Sequence, residues 1–526
     1  MTKPILDFWP MEEYEPRQKQ IKALHWLEKQ TAKNLILQSP VGSGKSLIAL
    51  TYARWLNQGS GNSYILTTQK VLQKQYADEF KSKNLISIYG RANYTCKQLN
   101  TTCNVGKILK TCKNCQYTKL IKTAKNSSNL VLNYTHAFLN FTYLQDLFPP
   151  RELLVFDEAH NLESHLVTHK SVIISRKKAL EFQVKMPYFK TIIEAFKWLK
   201  DRYLPAGTDV MIDMLYDVER IQGKSGKLTK SDTQIVKTYD SLDGHLCTIR
   251  EFIQEYGENY KSKFILVNDE NSISFKPVYG KDNFSKWCEP QADKFLFMSS
   301  TIINPKSFSK DLGLSEKDTS YLDLESDFPA ESRSTVFING LKMNAAWKKP
   351  ENEKGRNIHI ETIKTILNLH EGESGIIHTG NFKIAEWIVD ELKGMKDWNI
   401  YHHNPNTNNP RDSVIKTYLS DPKPSILISP SITEGLDLKN DLGRFAIFSK
   451  VPFLNLGDQW IKKRLDISNE WYQRSAAMNI IQGGGRIVRS KEDHGTVYII
   501  DGSWPWFYNQ NKTMFPKWWR EAYSSL

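Results

Sequence analysis

The chain has 526 residues, with 71 Lys and Arg against 58 Asp and Glu, a formal charge of +13. That length suits roughly three or four domains, and the basic excess suits a polyanionic partner, nucleic acid before membrane. With 40% hydrophobic and 25% charged residues, the composition excludes a disordered or fibrous chain.

No apolar run approaches the roughly 18 residues of a membrane span. The opening Met1-Thr2-Lys3-Pro4-Ile5-Leu6-Asp7-Phe8 lacks a signal peptide's apolar core. A cytoplasmic or nucleoid-associated protein, neither secreted nor membrane-inserted, is therefore expected. Six cysteines are too few for a disulfide scaffold. Cys96, Cys103, Cys112 and Cys115 cluster and, in a reducing compartment, read as a metal site before they read as disulfides. Cys247 and Cys288 stand alone and read as small buried apolar side chains.

In chain order, apolar runs fall at 34–37, 153–156, 295–298, 375–377, 425–428, 445–448 and 497–500. Continuous rather than alternating apolarity marks strands buried on both faces of a parallel sheet. Helix-forming stretches such as 46–57 and 382–394 lie between them. This α/β pattern places ligands at the carboxyl ends of strands. The runs form two groups, before about 305 and after about 335, hence two lobes are expected. Residues 161–294 are charged and helix-leaning, and predict an inserted, mainly helical domain.

After the first run comes Ser39-Pro40-Val41-Gly42-Ser43-Gly44-Lys45-Ser46, then helix-forming Leu47 to Leu50. Such glycines let backbone N–H groups turn inward around phosphate oxygens; Lys45 can reach the β and γ phosphates and Ser46 can ligate Mg²⁺. Ser39 stands where Gly or Ala is usual, tolerable if its backbone is not left-handed. The run at 153–156 ends in Asp157-Glu158-Ala159-His160. A carboxylate at that position can hold Mg²⁺, assigned to Asp157, and the next can deprotonate the attacking water, assigned to Glu158. His160 would couple that centre to a neighbouring motif. Gln482-Gly483-Gly484-Gly485-Arg486-Ile487-Val488-Arg489 reads as a helix with Arg486 and Arg489 on one face. Guanidinium groups supplied across a cleft stabilise a transferring phosphoryl group. Thr433-Glu434-Gly435-Leu436-Asp437 follows a buried strand, where polar groups could contact nucleotide and nucleic acid.

Taken together and in this order, the blocks resemble the XPD/DinG family of superfamily-two iron–sulfur DNA helicases over nearly the whole chain. Arg17-Gln18-Lys19-Gln20 resembles the family's glutamine motif, with Gln20 in the adenine-reading place. Ser39 to Ser46 is similar to motif I, Thr67-Thr68-Gln69 to motif Ia, and Asp157 to His160 to the DEAH box. Met298-Ser299-Ser300-Thr301-Ile302 resembles motif III, and Ile376-Ile377-His378-Thr379-Gly380 sits where motif IV belongs. Glu434 and Asp437 match motif V, Lys450-Val451-Pro452-Phe453 a following element, and Gln482 to Arg489 motif VI.

The resemblance implies two RecA-like parallel-sheet lobes, with a small cysteine-rich metal module and a mainly helical arch inserted in the first. Lobe 1 would comprise 1–88, 127–165 and 290–335, the module 89–126, the arch 166–289, and lobe 2 residues 336–526. It also implies ATP and Mg²⁺ as cofactors. ATP contacts would come from Gln20, Gly42, Ser43, Gly44, Lys45, Ser46, Glu434, Asp437 and Gln482, and coupling from His160, Ser300 and Thr301. In the family, four cysteines at this place hold a four-iron cluster. The spacing Cys96-x6-Cys103-x8-Cys112-x2-Cys115 is more compact than usual there, and four thiolates also suit tetrahedral zinc.

The implied activity is an ATP-dependent helicase that translocates 5′→3′ on single-stranded DNA and unwinds duplexes. The alternative is an ATP-driven translocase that remodels nucleoprotein or R-loops without processive unwinding. The expected partners are single-stranded and forked DNA, with RNA or a DNA–RNA hybrid left open, and the expected state is a monomer. With motif I beginning at residue 39, no room is expected for an N-terminal exonuclease, and intact Lys45, Asp157, Glu158, Arg486 and Arg489 argue against a non-enzymatic adaptor. Residues 81–145 hold ten Lys and Arg and no Asp or Glu, so this region is expected to grip phosphates and help split the fork. Tyr89, Tyr94 and Tyr117 within it could stack on bases. The late aromatics from Trp504 to Trp519 are expected to pack a terminal helix onto its lobe.

Overall fold

The computed structural model describes residues 3–526 except 41, 59–61, 81–84, 113–114, 144–147, 225–226, 327, 405–410, 422–423, 431–437, 439 and 489–492. The chain begins with α1 (Gln18–Glu28), β1 (Asn34–Gln38), α2 (Lys45–Leu56), β2 (Ser63–Thr67), α3 (Lys70–Glu79) and β3 (Leu85–Ser87). The cysteine-bearing segment follows as β4 (Thr95–Cys96), β5 (Thr101–Thr102), α4 (Cys103–Ile108) and α5 (Gln116–Lys125). Then come β6 (Asn129–Asn133), α6 (Tyr134–Tyr143) and β7 (Arg151–Asp157).

A long excursion runs through α7 (Leu162–Lys170), β8 (Val172–Ser175), α8 (Arg176–Glu181), α9 (Ile192–Trp198), α10 (Leu204–Gln222) and α11 (Lys230–Tyr256). It returns through α12 (Tyr260–Lys263), β9 (Phe264–Asn268), β10 (Ser272–Pro277) and α13 (Lys281–Asn283). First-lobe structure resumes with β11 (Ala292–Ser299), α14 (Pro305–Leu312) and β12 (Thr319–Asp323). The second lobe contains β13 (Thr335–Phe337), α15 (Glu353–Leu369), β14 (Gly375–His378), α16 (Phe382–Leu392), β15 (Asn399–His402), α17 (Arg411–Ser420), β16 (Ser425–Ser429) and β17 (Phe445–Phe448). It closes with α18 (Gln459–Ile467), α19 (Asn469–Gly484), β18 (Thr496–Ile499), α20 (Trp504–Asn511), α21 (Lys517–Glu521) and β19 (Tyr523–Ser525).

Two seven-stranded sheets carry the architecture, in the orders β12-β1-β11-β7-β2-β6-β3 and β15-β16-β14-β17-β18-β13-β19. Every pairing in both is parallel. The expected α/β lobes are therefore present, and every residue of β1, β14, β16 and β17 is buried. The chain crosses from one sheet to the other between β12 and β13. Registers place Gln38 opposite Ser299 and Met298 opposite Asp157. Three strand ends thus stand level, bringing three separate sequence blocks to one edge.

The excursion is helical, as expected, but also builds an antiparallel sheet of order β8-β10-β9. Its strands are short, with β8 alternating between buried and exposed positions and β9 mostly half-buried, which the search for continuous apolar runs passes over. In the cysteine-bearing segment, Val105 and Leu109 pack against Val218 and Ile221 of α10 and Val236 of α11. Asn104 donates to Asp240 Oδ2 at 2.8 Å. Of the late aromatics, Trp504, Phe507, Tyr508 and Trp519 are buried in the second-lobe core as expected, with Phe515 beside them, whereas Trp506 points outward and is exposed. Cys288 is buried, but Cys247 is exposed on α11, where its thiol meets Glu251; the apolar reading fails for that residue because it lies on the outer helix face.

Three histidines are buried and a fourth, His169, is half-buried; all four are held neutral. Burial lowers His136, His169 and His359 to about 4 and, together with the charge of Arg486, lowers His378 to about 3. An unfolded histidine titrates near 6.5. Below that pH the unfolded chain binds more protons, so stability is complete above it and drains away as pH falls towards 4. Each group costs about 2 kcal/mol at pH 5. Chemical denaturation at pH 7 and pH 5 should show a large loss of stability; equal midpoints would overturn this account.

Candidate active site

The phosphate-loop segment leaves β1 and closes on α2. Gly42 and Gly44 both adopt φ of +74°, a left-handed backbone that glycine takes without a Cβ clash. Ser39 is not left-handed, which meets the condition for its departure from Gly or Ala. Its hydroxyl donates to Ser43 Oγ at 2.6 Å, and its carbonyl accepts from Lys45 Nζ at 3.4 Å. Gln20 braces the loop rather than facing open space: its Oε1 accepts from Arg17 N at 2.8 Å and its Nε2 donates to Ser43 O at 3.0 Å. Arg17 Nη2 adds a bond to Gly42 O at 2.8 Å. Ser46 follows Lys45 in the first turn of α2, where the orphan N–H groups of a helix start favour anionic oxygen.

Asp157 ends β7 and is buried. Its carboxylate accepts from Tyr76 at 3.1 Å and from the Glu158 N–H at 3.1 Å, while its carbonyl accepts from Tyr134 at 2.8 Å. Burial and the neighbouring Glu158 charge push its pKa upward, and Lys45 pulls it back down. Lys45 and Asp157 therefore act within one electrostatic environment. The Asp157 carboxylate and Ser46 hydroxyl offer the hard oxygen donors that suit Mg²⁺. Glu158 holds φ of +54°, a strained conformation for a residue with a Cβ that costs on the order of 1–3 kcal/mol.

The two lobes meet at His160. Its Nδ1 lies 2.8 Å from Ser299 Oγ and 3.4 Å from Glu158 Oε2. Its Nε2 meets Gln482 Nε2, which also donates to Thr301 Oγ1 at 2.8 Å. An amide N–H₂ can only donate, so the Nε2 of His160 accepts and its Nδ1 carries the proton. Thr301 N donates to Ser299 Oγ at 3.0 Å. Gln482, expected at ATP, thus spans the lobes here through the coupling residues His160 and Thr301. Ser300 is buried beside them, but Ser299 is the hydroxyl that meets His160. The helix expected over Gln482–Arg489 stops at Gly484, where three successive glycines end α19, so Arg486 lies in the turn beyond it, close enough to His378 for its charge to be felt there. Glu434, Asp437 and Arg489 lie outside the described residues.

The cysteines occupy the module. Cys96 and Cys103 are buried, Cys112 and Cys115 half-buried. Burial and the neighbouring Cys115 raise the thiols of Cys103 and Cys112. At Cys115 burial also pushes upward, but the backbone N–H groups of Thr118 and Tyr117 outweigh it and lower the thiol below its usual value, as at other helix starts. Arg91 reaches Cys103 Sγ at 3.9 Å, and a Cβ on Gly106 would approach Cys96 Sγ to 2.8 Å. Electrostatically, Cys115 is felt at Cys103 and Cys112, and Cys96 at Cys112. Among the described residues, however, no three Cys, His, Asp or Glu side chains form a group able to hold a metal ion. Tyr117 is buried edge-on against Tyr94 under the Arg91 guanidinium. Those two tyrosines pack the module's core instead of presenting faces to bases.

Arg17, Tyr76 and Ser299 are site residues that sequence reasoning did not assign. Ser299 carried a signal, lying inside the quoted Met298-Ser299-Ser300-Thr301-Ile302 block. Arg17 likewise lies inside the quoted Arg17-Gln18-Lys19-Gln20 block, whereas Tyr76, a lone tyrosine in a helix, carried none because its partner Asp157 is remote in sequence.

Two family descriptions match the chain: "Helicase C-terminal domain" over residues 363–522 and "Type III restriction enzyme, res subunit" over residues 13–197. The ATP-dependent DNA helicase YoaA of Escherichia coli K12 is 20% identical over 74% of this chain and 66% of its own length. The ATP-dependent DNA helicase DinG of Photobacterium profundum is 26% identical over 37% of this chain and 29% of its own length. The chain therefore spans less than two thirds of these relatives. Among solved structures, an XPD helicase superposes with a TM-score of 0.63 at 14% identity, covering 98% of this chain and all of the other. Xpd4 of S. tokodaii gives 0.56, also at 14% identity, with 97% and 100% coverage. These likenesses show the fold.

Gly483 lets α19 press onto the second sheet: an added Cβ would stand 2.8 Å from the Phe448 ring and 3.3 Å from His378 Nε2. Gly483→Ala should cost about 1–3 kcal/mol, lowering the melting temperature by several degrees. Gly244→Ala in α11, where a Cβ meets nothing within 4 Å, should leave it unchanged or raise it slightly. Equal thermal midpoints for the two variants would refute the close-packing argument.

Proposed function

We propose that the chain is a member of the XPD/DinG family of superfamily-two helicases and acts as an ATP-dependent DNA helicase. It would translocate 5′→3′ on single-stranded DNA and unwind duplexes as it hydrolyses ATP. The observation that carries this reading is the Glu158–His160–Gln482–Thr301 bridge, which ties the acidic strand end of one lobe to the last turn of α19 in the other, just before Arg486. Such a bridge lets chemistry in the cleft and the spacing of the lobes govern each other.

In this mechanism the loop from Gly42 to Ser46 wraps the phosphates and Lys45 leaves the Ser39 carbonyl for the β and γ oxygens. Ser46 and Asp157 would hold Mg²⁺, which supplies charge neutralisation along the phosphates. Glu158 accepts a proton from the attacking water, its strained backbone fixing where the carboxylate points. Arg486 and Arg489 would stabilise the charge that develops on the transferred group, and the family resemblance gives Glu434 and Asp437 a role in binding the nucleotide. Closure on ATP and opening after hydrolysis then move the lobes along one strand. The lysine-rich module grips phosphates without reading bases, so affinity falls steeply with salt.

Lys45→Ala should reduce DNA-stimulated ATP hydrolysis to roughly 1% of wild type or less. Glu158→Gln should bind ATP normally and hydrolyse it roughly 100-fold or more slowly. Normal turnover in either variant would reassign that residue's role.

We further propose that Cys96, Cys103, Cys112 and Cys115 ligate a four-iron cluster, with zinc as the alternative. The support is the place of the four cysteines in one short segment, the pairwise influence of Cys115 on Cys103 and Cys112, and the surrounding cations, which favour thiolate. Protein purified without oxygen should show a broad visible absorption band that Cys112→Ser removes, together with strand separation, while much of the ATPase remains. Colourless protein with stoichiometric zinc would select the alternative, and colourless metal-free protein would remove the site.

A further inference from the structure

The face of α19 towards the first lobe carries Glu470, Arg474, Met478 and Gln482, each four residues from the last and so neighbours along one helix side. Glu470 Oε1 accepts from Asn304 Nδ2 at 2.7 Å and from Ser307 Oγ at 2.5 Å. Arg474 pairs with Asp311, and Gln482 reaches His160 and Thr301. Thr301, Asn304, Ser307 and Asp311 all belong to the motif III block or to α14, which follows it. One helix of the second lobe is therefore pinned at both ends to one short stretch of the first.

A second arginine reinforces the pin. Arg464 of α18 is 1% exposed, donates to both Glu163 carboxylate oxygens at 2.8 and 3.3 Å and to Val278 O, and lies 3.7 Å from Asp311. The rings of Tyr279, Trp460 and Trp471 surround its guanidinium. Asp311 thus serves two arginines from the other lobe. Beside these posts lies a cavity of about 510 Å³, lined by Ile303, Phe308, Leu312, Trp471 and Met478 among others. At this contact apolar surfaces leave a gap, and charged pairs make the fixed points. Buried ion pairs add little net stability over apolar packing, but an unpaired member is strongly penalised. They fix geometry, so their use here is register.

We propose, resting on the motor reading above, that α19 is an interlobe strut in which Glu470 and Arg474 are positioning residues for ATP hydrolysis. Glu470 and Gln482 stand about 18 Å apart along the helix. Anchoring one end on α14 sets where Gln482 and, just beyond it, Arg486 arrive at the cleft. A displacement of even 1 Å at the reacting groups costs up to roughly 100-fold in rate.

The test is steady-state ATP hydrolysis with saturating single-stranded DNA, run alongside thermal melting, for Glu470→Ala, Arg474→Ala, Asp311→Ala and the reversed pair Arg474→Asp with Asp311→Arg. The singles should lower kcat at least about tenfold while KM for ATP stays within about twofold, and the reversed pair should recover most of the loss. A merely structural role would shift melting without this split or the recovery. Should Arg474→Ala not fold, Glu470→Ala, whose partners are exposed, carries the test. Unchanged kcat in folded variants, with wild-type turnover still abolished by Lys45→Ala, overturns the strut alone. Absence of wild-type turnover overturns the motor reading and the strut together.

Discussion

One neutral imidazole joins the working parts of the molecule. His160 stands where β7 and β11 end level, so parallel register alone delivers Asp157, Glu158 and Ser299 to its side of the first lobe. Its second nitrogen is then free to accept from a residue of the other lobe. Each partner in that chain is wholly or largely withdrawn from water, and a broken link would strand a polar group at a cost of about 1–3 kcal/mol. The strained Glu158 backbone, the loop that holds Lys45 and the close approach of Gly483 all follow from keeping this small volume assembled.

Much of the fold was legible because its physics is local. Strands buried on both faces leave unbroken apolar runs, and each of the seven runs found corresponds to a sheet strand. The strands that escaped are instructive. β2 and β6 end in Ser63, Thr67, Asn129 and Asn133, all buried, with Ser63 donating to Asn129 Oδ1 at 2.7 Å. Polar residues satisfied by a neighbouring strand hide the run, since that neighbour lies far away in sequence. The edge strands β12, β15 and β19 are at most partly buried and carry too few apolar residues to register.

The candidate site divides in the same way. The phosphate-loop glycines and the acidic pair declare their chemistry at fixed spacing and were readable. Gln20 was placed near the loop, but its bracing role depends on where Ser43 O falls once the loop has turned. Gln482 was read as a nucleotide contact, yet its amide spans to His160, a partner over 300 residues away. The cysteine cluster was visible from spacing, whereas the inward packing of Tyr94 and Tyr117 was not, because base-stacking and core-packing tyrosines look alike in sequence.

The apolar contact of α4 with α10 and α11 joins two excursions that leave the first lobe at different points, making a closed frame with the lobe as its third side. A two-hinged appendage can swing freely; a triangulated one cannot. Cys103 is the first residue of α4, so the long helical pair braces the backbone from which that thiol springs.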